Sequence, residues 1–524
     1  VIALTPFQSA VQTLRILSPE LILIAAATAM MTAGAFVRLP RRVWSILSAA
    51  LLGIAILVLF LIRGEAYDPY AGLVVNDSLA FYARLVFLLT GLIVLGMAHD
   101  QVDDARAPEF FGSLLMINAG AMLISSANEL VFLFVGLELV SIPTYLLLYL
   151  SRRTASTQEA ATKYFFLSIF SSGLLLFGMA YLYGTTGVSN LKAIAYLSRT
   201  MTNVPQLQLG LVALVFIMAG LGFRIAAVPF HFYAPDVYQG SPAILAALLA
   251  WVPKGLGFIA ILRTLVAVIG GDGAGSPLSQ KAAMLAAILA AVTMTLGNTV
   301  ALAQNNLKRL LAYSSIAHAG YLMIGVAVAL RNGSSGGVTL GAESLLYYLV
   351  AYSVMTLGAF AVIIALNSGD RPVETVDDMA GLAATHRPLA LEMAVCLFSL
   401  AGIPPLAGFV GKFELFTSAW SASRGDDAAL FQSLAIIGAI NSAIGAYYYL
   451  RIVVVMFLRP ATGKPFSVRL TWPTGAAITA CTLLTLLLGI FASPVMEASH
   501  DAALAASATP EPVDETPVRA VMAR

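Results

Sequence analysis

Apolar runs of bilayer-crossing length alternate with short polar or Gly/Pro-rich breaks along nearly the whole chain. A hydrocarbon core about 30 Å thick requires roughly 20 helical residues. Fourteen runs meet that requirement: 19–37, 44–62, 79–98, 111–127, 129–150, 164–183, 208–230, 242–266, 282–303, 310–330, 342–366, 389–421, 430–458 and 472–492. Only Ser125–Asn128 separates the fourth run from the fifth. Prolines interrupt two others: Pro229 ends the seventh, and Pro404–Pro405 divides the twelfth. After His500 the sequence turns Ala-, Pro- and acid-rich, too polar to span, and is predicted to be a disordered tail. The pattern predicts an all-α polytopic membrane protein with about fourteen transmembrane helices, the seventh and twelfth discontinuous.

Composition agrees with this pattern. Of 524 residues, 59% are hydrophobic and 11% charged, whereas a soluble domain carries about 25% charge. A net charge of +2 gives no footprint for nucleic acid. The two cysteines, Cys396 and Cys481, lie in separate apolar stretches with no CxxC and no Cys/His cluster. They read as small buried hydrophobes, and no zinc or iron–sulfur site is predicted. Neither GxGxxG in a strand–helix unit nor GxxxxGK[ST] occurs, so no nucleotide or flavin site is predicted. The chain opens Val-Ile-Ala without a basic stretch and cleavage site, so the first apolar run is expected to be a retained span.

Lysine and arginine set orientation. Loops after odd-numbered spans carry fourteen of them and loops after even-numbered spans six. The odd loops are therefore expected on the cytoplasmic side and both termini on the opposite, periplasmic side of a bacterial inner membrane. The proline-broken segment near 208–235 recurs near 389–421, about 175 residues and five spans later. An odd span offset inverts one copy relative to the other, as in transporters whose broken helices carry the site. The expected organisation is spans 1–3 in residues 1–110, a first five-helix repeat in 111–266 and a second, inverted repeat in 267–458. A last span in 459–498 and a polar tail in 499–524 complete it.

Among the charges inside these apolar segments, four stand out: Glu138, Arg224, Lys254 and Lys412. A charge at bilayer depth costs about 2.5–3.5 kcal/mol on insertion scales, so such residues usually face a protein interior or a watery cavity and mark an ion or proton path. Glu138 lies mid-span, with Ser141 and Tyr145 on the same helical face as expected hydrogen-bond partners. Desolvation favours a neutral carboxyl and a nearby cation favours a charged one, so a moving charge could switch its protonation. A static ion pair is the alternative. Lys254 is about twelve residues into its span, roughly 17 Å from either end, too deep to snorkel easily. Burial disfavours a charged lysine, which makes it a candidate proton carrier, and Pro253 beside it weakens the helical ladder. Lys412 follows AGIPPLAGFVG, where the backbone must unwind and needs a protein-lined or wet environment. Glu414 is expected to face elsewhere. Lys163 opens the sixth span, where an interfacial, snorkelling lysine is equally expected. His231 lies at the first break and His318 within SSIAHAGYLMIG; each is a possible relay or a packing residue. Asp236 is read as a helix cap, and Glu374, Asp377 and Asp378 as a solvated loop.

VGLELVSIPTYLLL, EAATKYFFLSIFSSGLLLFGMAYLYGTTG, FRIAAVPFHFYAPDVYQGSP, NNLKRLLAYSSIAHAGYLMIG and SLAGIPPLAGFVGKFELF together resemble the antiporter-like N-type subunits of proton-pumping NADH–quinone oxidoreductase (bacterial respiratory complex I), relatives of the Mrp cation/proton antiporters. The resemblance runs from about residue 110 to 460. It implies that Glu138 pairs with the seventh-span cation, that Lys254 is the central proton carrier, and that Lys412 connects to the opposite side. Lys163 matches the family's sixth-span lysine. It also implies that FMN, iron–sulfur clusters and quinone belong to partner chains, with none in this one. The expected neighbours are M-type and K-type membrane subunits and the lateral helix of an L-type subunit. One position departs: the family has FKIAAVPFH where this chain reads FRIAAVPFH, placing Arg224 for lysine. Arginine stays charged, so Arg224 is expected to act as a fixed counter-charge while Glu138, Lys254 and Lys412 titrate. An Mrp-type sodium/proton antiporter subunit and a non-pumping scaffold of the same complex are the rival readings.

Overall fold

The computed structural model describes residues 6–70, 72–151, 154–198, 204–266, 277–331, 335–367, 373–422, 428–461, 468 and 470–507. The chain is helical almost throughout: α1 Pro6–Ile16, α2 Ser18–Gly34, α3 Arg41–Leu61, α4 Ser78–Ala98, α5 Ala107–Ser126, α6 Leu130–Leu150, α7 Ala155–Thr186, α8 Leu191–Ser198, α9 Val204–Ile225, α10 Ala234–Gly240, α11 Ala243–Ile261, α12 Pro277–Leu302, α13 Leu307–Arg331, α14 Ser335–Leu366, α15 Arg387–Ala401, α16 Ala407–Ala422, α17 Ala428–Leu458, α18 Trp472–Ile490 and α19 Ser493–Ser507. Twelve of these are long and apolar enough to cross a membrane, and the pair α1–α2, bent by 69°, makes a thirteenth. The halves α15 and α16 flank Gly402–Leu406, and each is too short to qualify alone. Every apolar run read from the sequence therefore coincides with a helix or a helix pair.

Burial separates the helices into two classes. The spans on α11, α13 and α14 are 100%, 94% and 94% buried, while those on α3 and α17 are 33% buried. A helix apolar on all sides belongs in a core, and AILAALLAWVPKGLGFIAI of α11 is such a sequence. Peripheral helices turn large apolar side chains outward, among them Ile46, Leu57, Phe166 and Phe170, as a lipid solvent permits. The loops group by parity. Val74 bridges Ala127 and Glu129 bridges Asn190, joining the loops after spans two, four and six, while Asn306 bridges Thr375, joining those after nine and eleven. Glu374, Asp377 and Asp378 belong to this second group, and Asp377 pairs with Arg459 at 2.8 Å, so the acidic run fastens loops together.

Close helix approaches use glycine. A Cβ built on Gly320 of α13 would lie 2.4 Å from the Met294 nitrogen of α12, and one on Gly297 of α12 would lie 2.6 Å from the Ala317 nitrogen of α13. Small residues let membrane helices gain van der Waals contact where no hydrophobic drive exists between them. Gly358 serves α14 in the same way, facing Cys396 Sγ and Cys481 Cβ. The two cysteines, far apart in sequence, thus sit together as buried free thiols.

One expectation is corrected. Residues 499–507 continue a helix: the small side chains Ser499, Ala502, Ala503 and Ala506 of α19 are buried, and Ser499 Oγ meets the Tyr82 hydroxyl of α4 at 2.9 Å. Low hydropathy there reflects alanine packing across the bundle rather than disorder; the predicted tail from 508 onward lies outside the described residues, as do Arg152, Arg153, Arg199, Arg371, Arg424, Lys464 and Arg469 of the loop count. Pro253 lies inside α11, which continues through it.

Gly320→Val tests the packing. Overpacking costs about 1–3 kcal/mol, so the purified protein should unfold several degrees lower in a thermal melt, and Gly53→Ala, where nothing lies within 4 Å of the new methyl, should leave the midpoint unchanged.

Candidate proton-transfer site

Helix α9 ends at Ile225, where Ala226 takes φ 56° and the chain turns through Pro229 before α10 begins. The break needs internal partners at membrane depth. Tyr233 donates to the Phe223 carbonyl at 3.0 Å, and Thr293 Oγ1 accepts from the Val228 N–H at 3.0 Å. Arg224 projects from this last turn into a buried nest. Its guanidinium lies 3.1 Å from Glu138 Oε1, donates to Ser172 Oγ at 3.0 Å and Ser168 Oγ at 3.3 Å, and donates to Ser141 Oγ. Ser172 closes the ring by donating to Glu138 Oε1 at 2.5 Å. The expected pairing of Glu138 with the seventh-span cation is therefore present. Its local partners are different, however. Ser141 serves Arg224 instead of the carboxylate, and Tyr145 packs edge-on against Phe165. Ser172, on the next helix, donates to the carboxylate instead.

Lys254 is 2% exposed in the middle of α11 and donates to Ser315 Oγ of α13. Ser315 also meets the Tyr352 hydroxyl of α14 at 2.8 Å, and Tyr352 donates to the Ala250 carbonyl one turn above Lys254 at 3.2 Å. His318, three residues beyond Ser315 and fully buried, lies with its ring centroid 5.1 Å from that of Tyr352. Its Nδ1 meets the Tyr348 hydroxyl at 2.5 Å and its Nε2 the Tyr449 hydroxyl at 3.0 Å, and Tyr449 continues to Ser314. A histidine with hydroxyls on both nitrogens can exchange a proton from one side to the other.

Lys412 is reached next. Its ammonium lies 5.0 Å from the centroid of the Tyr321 ring, which packs edge-on against His318 at 5.7 Å. It also crosses the second helix break, donating to the Leu400 and Ala401 carbonyls at 2.9 and 3.1 Å and to Ser442 Oγ at 3.1 Å. Those carbonyls end the half-helix α15, whose C-terminal dipole favours a cation. Gly402 makes the turn at φ 89°, a conformation that strains any residue with a side chain, and Lys412 Cδ lies 3.1 Å from where its Cβ would be.

Two further candidates fall elsewhere. Lys163, nine residues into α7 and 38% exposed, bridges Glu159 and Asp236, each at 2.7 Å, and Arg309 completes the cluster at 2.7 Å from Asp236. Asp236 is therefore a link between α7, α10 and α13 and not a cap. Burial works to raise its carboxyl, but Lys163 and Arg309 outweigh this and hold it below its ordinary 3.8. The link is at full strength above that value and is lost only as pH falls through the lower, folded-state value. His231 is half-buried at the first break with Nδ1 lacking a partner, and no hydrogen bond joins it to the Glu138–Arg224 nest among the described residues.

Sequence reasoning missed two buried ion pairs. Arg84 of α4 lies 2.7 Å from Glu20 of α2, both fully buried. Arg263, in the π-helical turn Leu262–Val266 that extends α11, holds Asp77 bidentately at 2.6 Å on both oxygens. Each arginine was visible as a charge inside an apolar run; their carboxylates stand at helix starts, where they look like ordinary caps.

The Glu138–Arg224 nest should behave as a coupled unit. Arg224→Gln alone is expected to destabilise by about 3 kcal/mol, the low end for a broken buried pair, because Glu138 is a quarter exposed. Adding Glu138→Gln should recover more than about 1 kcal/mol of that loss in a double-mutant cycle followed by thermal unfolding; losses that add within about 0.5 kcal/mol would contradict the coupling.

Comparison with known proteins agrees with this geometry. Residues 127–438 match the family model described as NADH:quinone oxidoreductase/Mrp antiporter, TM. NADH-quinone oxidoreductase subunit N of Trichlorobacter lovleyi is 39% identical over 443 residues, covering 84% of this chain and 86% of that one. F(420)H(2) dehydrogenase subunit N of Methanosarcina mazei is 34% identical over 511 residues, covering 94% and 99%. Among solved structures, respiratory complex I from Thermus thermophilus contains a chain that superposes with a TM-score of 0.74 at 32% identity, covering 91% of this chain and 98% of its own. The helices, the paired breaks and the buried charges are those of a membrane subunit, and the chain belongs to the NADH:quinone oxidoreductase/Mrp antiporter transmembrane family.

Proposed function

We propose that this chain is the N-type proton-translocating module of a redox-driven quinone oxidoreductase, and that Glu138, Lys254 and Lys412 carry its proton relay. The observation that supports this most directly is the polar line through the bundle core. Lys254, Ser315, His318, Tyr348 and Tyr352 lie on α11, α13 and α14, whose spans are 94–100% buried, and Lys412 approaches this group from α16 across the Tyr321 ring.

The first five-helix repeat supplies the Glu138–Arg224 switch and Lys254, and the second supplies His318 and Lys412. Arg224 keeps its charge throughout. When Glu138 is ionised, it holds that charge; when Glu138 is neutralised, Arg224's charge acts on its neighbours. Two unit charges 10 Å apart at an effective dielectric of 20 interact by about 1.7 kcal/mol, more than one pKa unit, enough to favour proton release from Lys254. The released proton moves by way of Ser315 to Tyr352, whose ring lies 5.1 Å from that of His318; no hydrogen bond joins the two among the described residues, so this step runs through a bridging water. Lys412, seated on the α15 carbonyls, accepts on the far side. Lys163 belongs to the interfacial cluster that positions α10, and His231 borders the break.

In this reading the electron-transfer groups, FMN, iron–sulfur clusters and quinone, lie in partner subunits. M-type and K-type membrane subunits and the lateral helix of an L-type subunit flank this one. The membrane is the bacterial inner membrane, with both termini periplasmic.

Lys254→Met should separate pumping from redox chemistry. In proteoliposomes holding the purified complex and a pH-sensitive dye, protons translocated per electron should fall, while uncoupled electron transfer to quinone stays within about twofold of wild type. An unchanged proton-to-electron ratio would exclude Lys254 as carrier and favour the scaffold role; sodium-dependent proton exchange without electron donor would favour an antiporter.

A further inference from the structure

The proton relay leaves a large groove unused. A groove of about 810 Å³ lies between α4 and α19, at the end of the bundle where α8 and the loop before α4 meet. Phe81, Leu85 and Leu89 form one wall and Val495 and Ala498 the other, with Val350 of α14 behind them. From Ser78 to Leu89 the α4 wall runs about 16 Å at 1.5 Å per residue. The groove thus runs along α4 with a mostly apolar lining.

Its end is different. Arg63 and Lys192 both line it there. The Arg63 guanidinium lies 4.6 Å from the centroid of the Phe81 ring and makes no ion pair among the described residues. Lys192 is 6% exposed; burial lowers its ammonium to about 8, with Asp77 opposing that shift and Arg263 adding to it. Two carboxylates also face the groove. Asp77 is held on both oxygens by Arg263 at 2.6 Å, which neutralises it, and Asp501 stands on the α19 side. The mouth therefore keeps an excess of positive charge directly above an apolar slot. An amphiphile with an anionic head and a hydrocarbon tail matches both halves.

We propose that this groove holds one anionic phospholipid, its phosphate between Arg63 and Lys192 and an acyl chain against Phe81, Leu85 and Leu89. Bound there, the lipid fills the space beneath α19 and joins it to α4, adding to the Tyr82–Ser499 contact. The site lies on the opposite side of α4 from the Arg84–Glu20 pair and is separate from the relay.

Photolabelling tests this. The purified complex in nanodiscs is given phosphatidylglycerol or phosphatidylcholine carrying a diazirine on the acyl chain, and labelled peptides are mapped by mass spectrometry. The expected result is phosphatidylglycerol labelling within residues 81–89 or 495–505, lower with phosphatidylcholine. Arg63→Gln, a change at an exposed position, should weaken it roughly fivefold. Equal labelling by both lipids, or labelling indifferent to Arg63→Gln, would overturn the proposal. So would labelling that appears only after deletion of residues 508–524, since the chain's own tail would then be the occupant.

Discussion

A membrane interior offers no water to a charge or to an unpaired peptide group, and this structure meets both demands with the same residues. Where α15 ends, the Leu400 and Ala401 carbonyls lack helical partners, and the Lys412 ammonium supplies them at 2.9 and 3.1 Å. The break makes room for the charge, and the charge satisfies the break. At the other interruption the functions are divided: Tyr233 satisfies the Phe223 carbonyl, which leaves Arg224 free to bind Glu138 and three serines. An unsatisfied backbone group in hydrocarbon costs several kcal/mol, and these side chains offset that cost at both discontinuities.

The second requirement is a core thick enough to hide polar groups. Helices α11, α13 and α14 are surrounded on all sides by protein, and Lys254, Ser315, His318, Tyr348 and Tyr352 all lie on them. Tyrosine suits this place because its ring packs as a hydrophobe while its hydroxyl both donates and accepts. Glycines at the α12–α13 contact draw the helices close enough for the network to stay dry toward lipid. Tight packing and proton conduction therefore depend on the same short interhelical distances.

What could be read from the sequence follows from range of interaction. Apolar runs and prolines are local signals, so the spans and both breaks were legible. A single charge in an apolar run is local too, and Glu138, Arg224, Lys254 and Lys412 all proved buried or largely so. Their partners were not legible. Ser172, Ser315 and Ser442 come from other helices, and serine is too common in membrane helices to stand out. Asp236 was misread because its two cations, Lys163 and Arg309, each lie 73 residues away in sequence. Helix α19 was misread because alanine that packs and alanine that stays disordered have the same hydropathy. Glu20 and Arg84 were each visible, but nothing local says that they meet.

The central claim is that Lys254 works by releasing its proton rather than by supplying a fixed charge. Lys254→Arg tests this directly, since arginine keeps the positive charge and cannot give it up. With the purified complex in proteoliposomes, the account predicts that protons translocated per electron fall as far in Lys254→Arg as in a neutral substitution. A wild-type ratio in Lys254→Arg would mean that a permanent cation suffices there, and would contradict it.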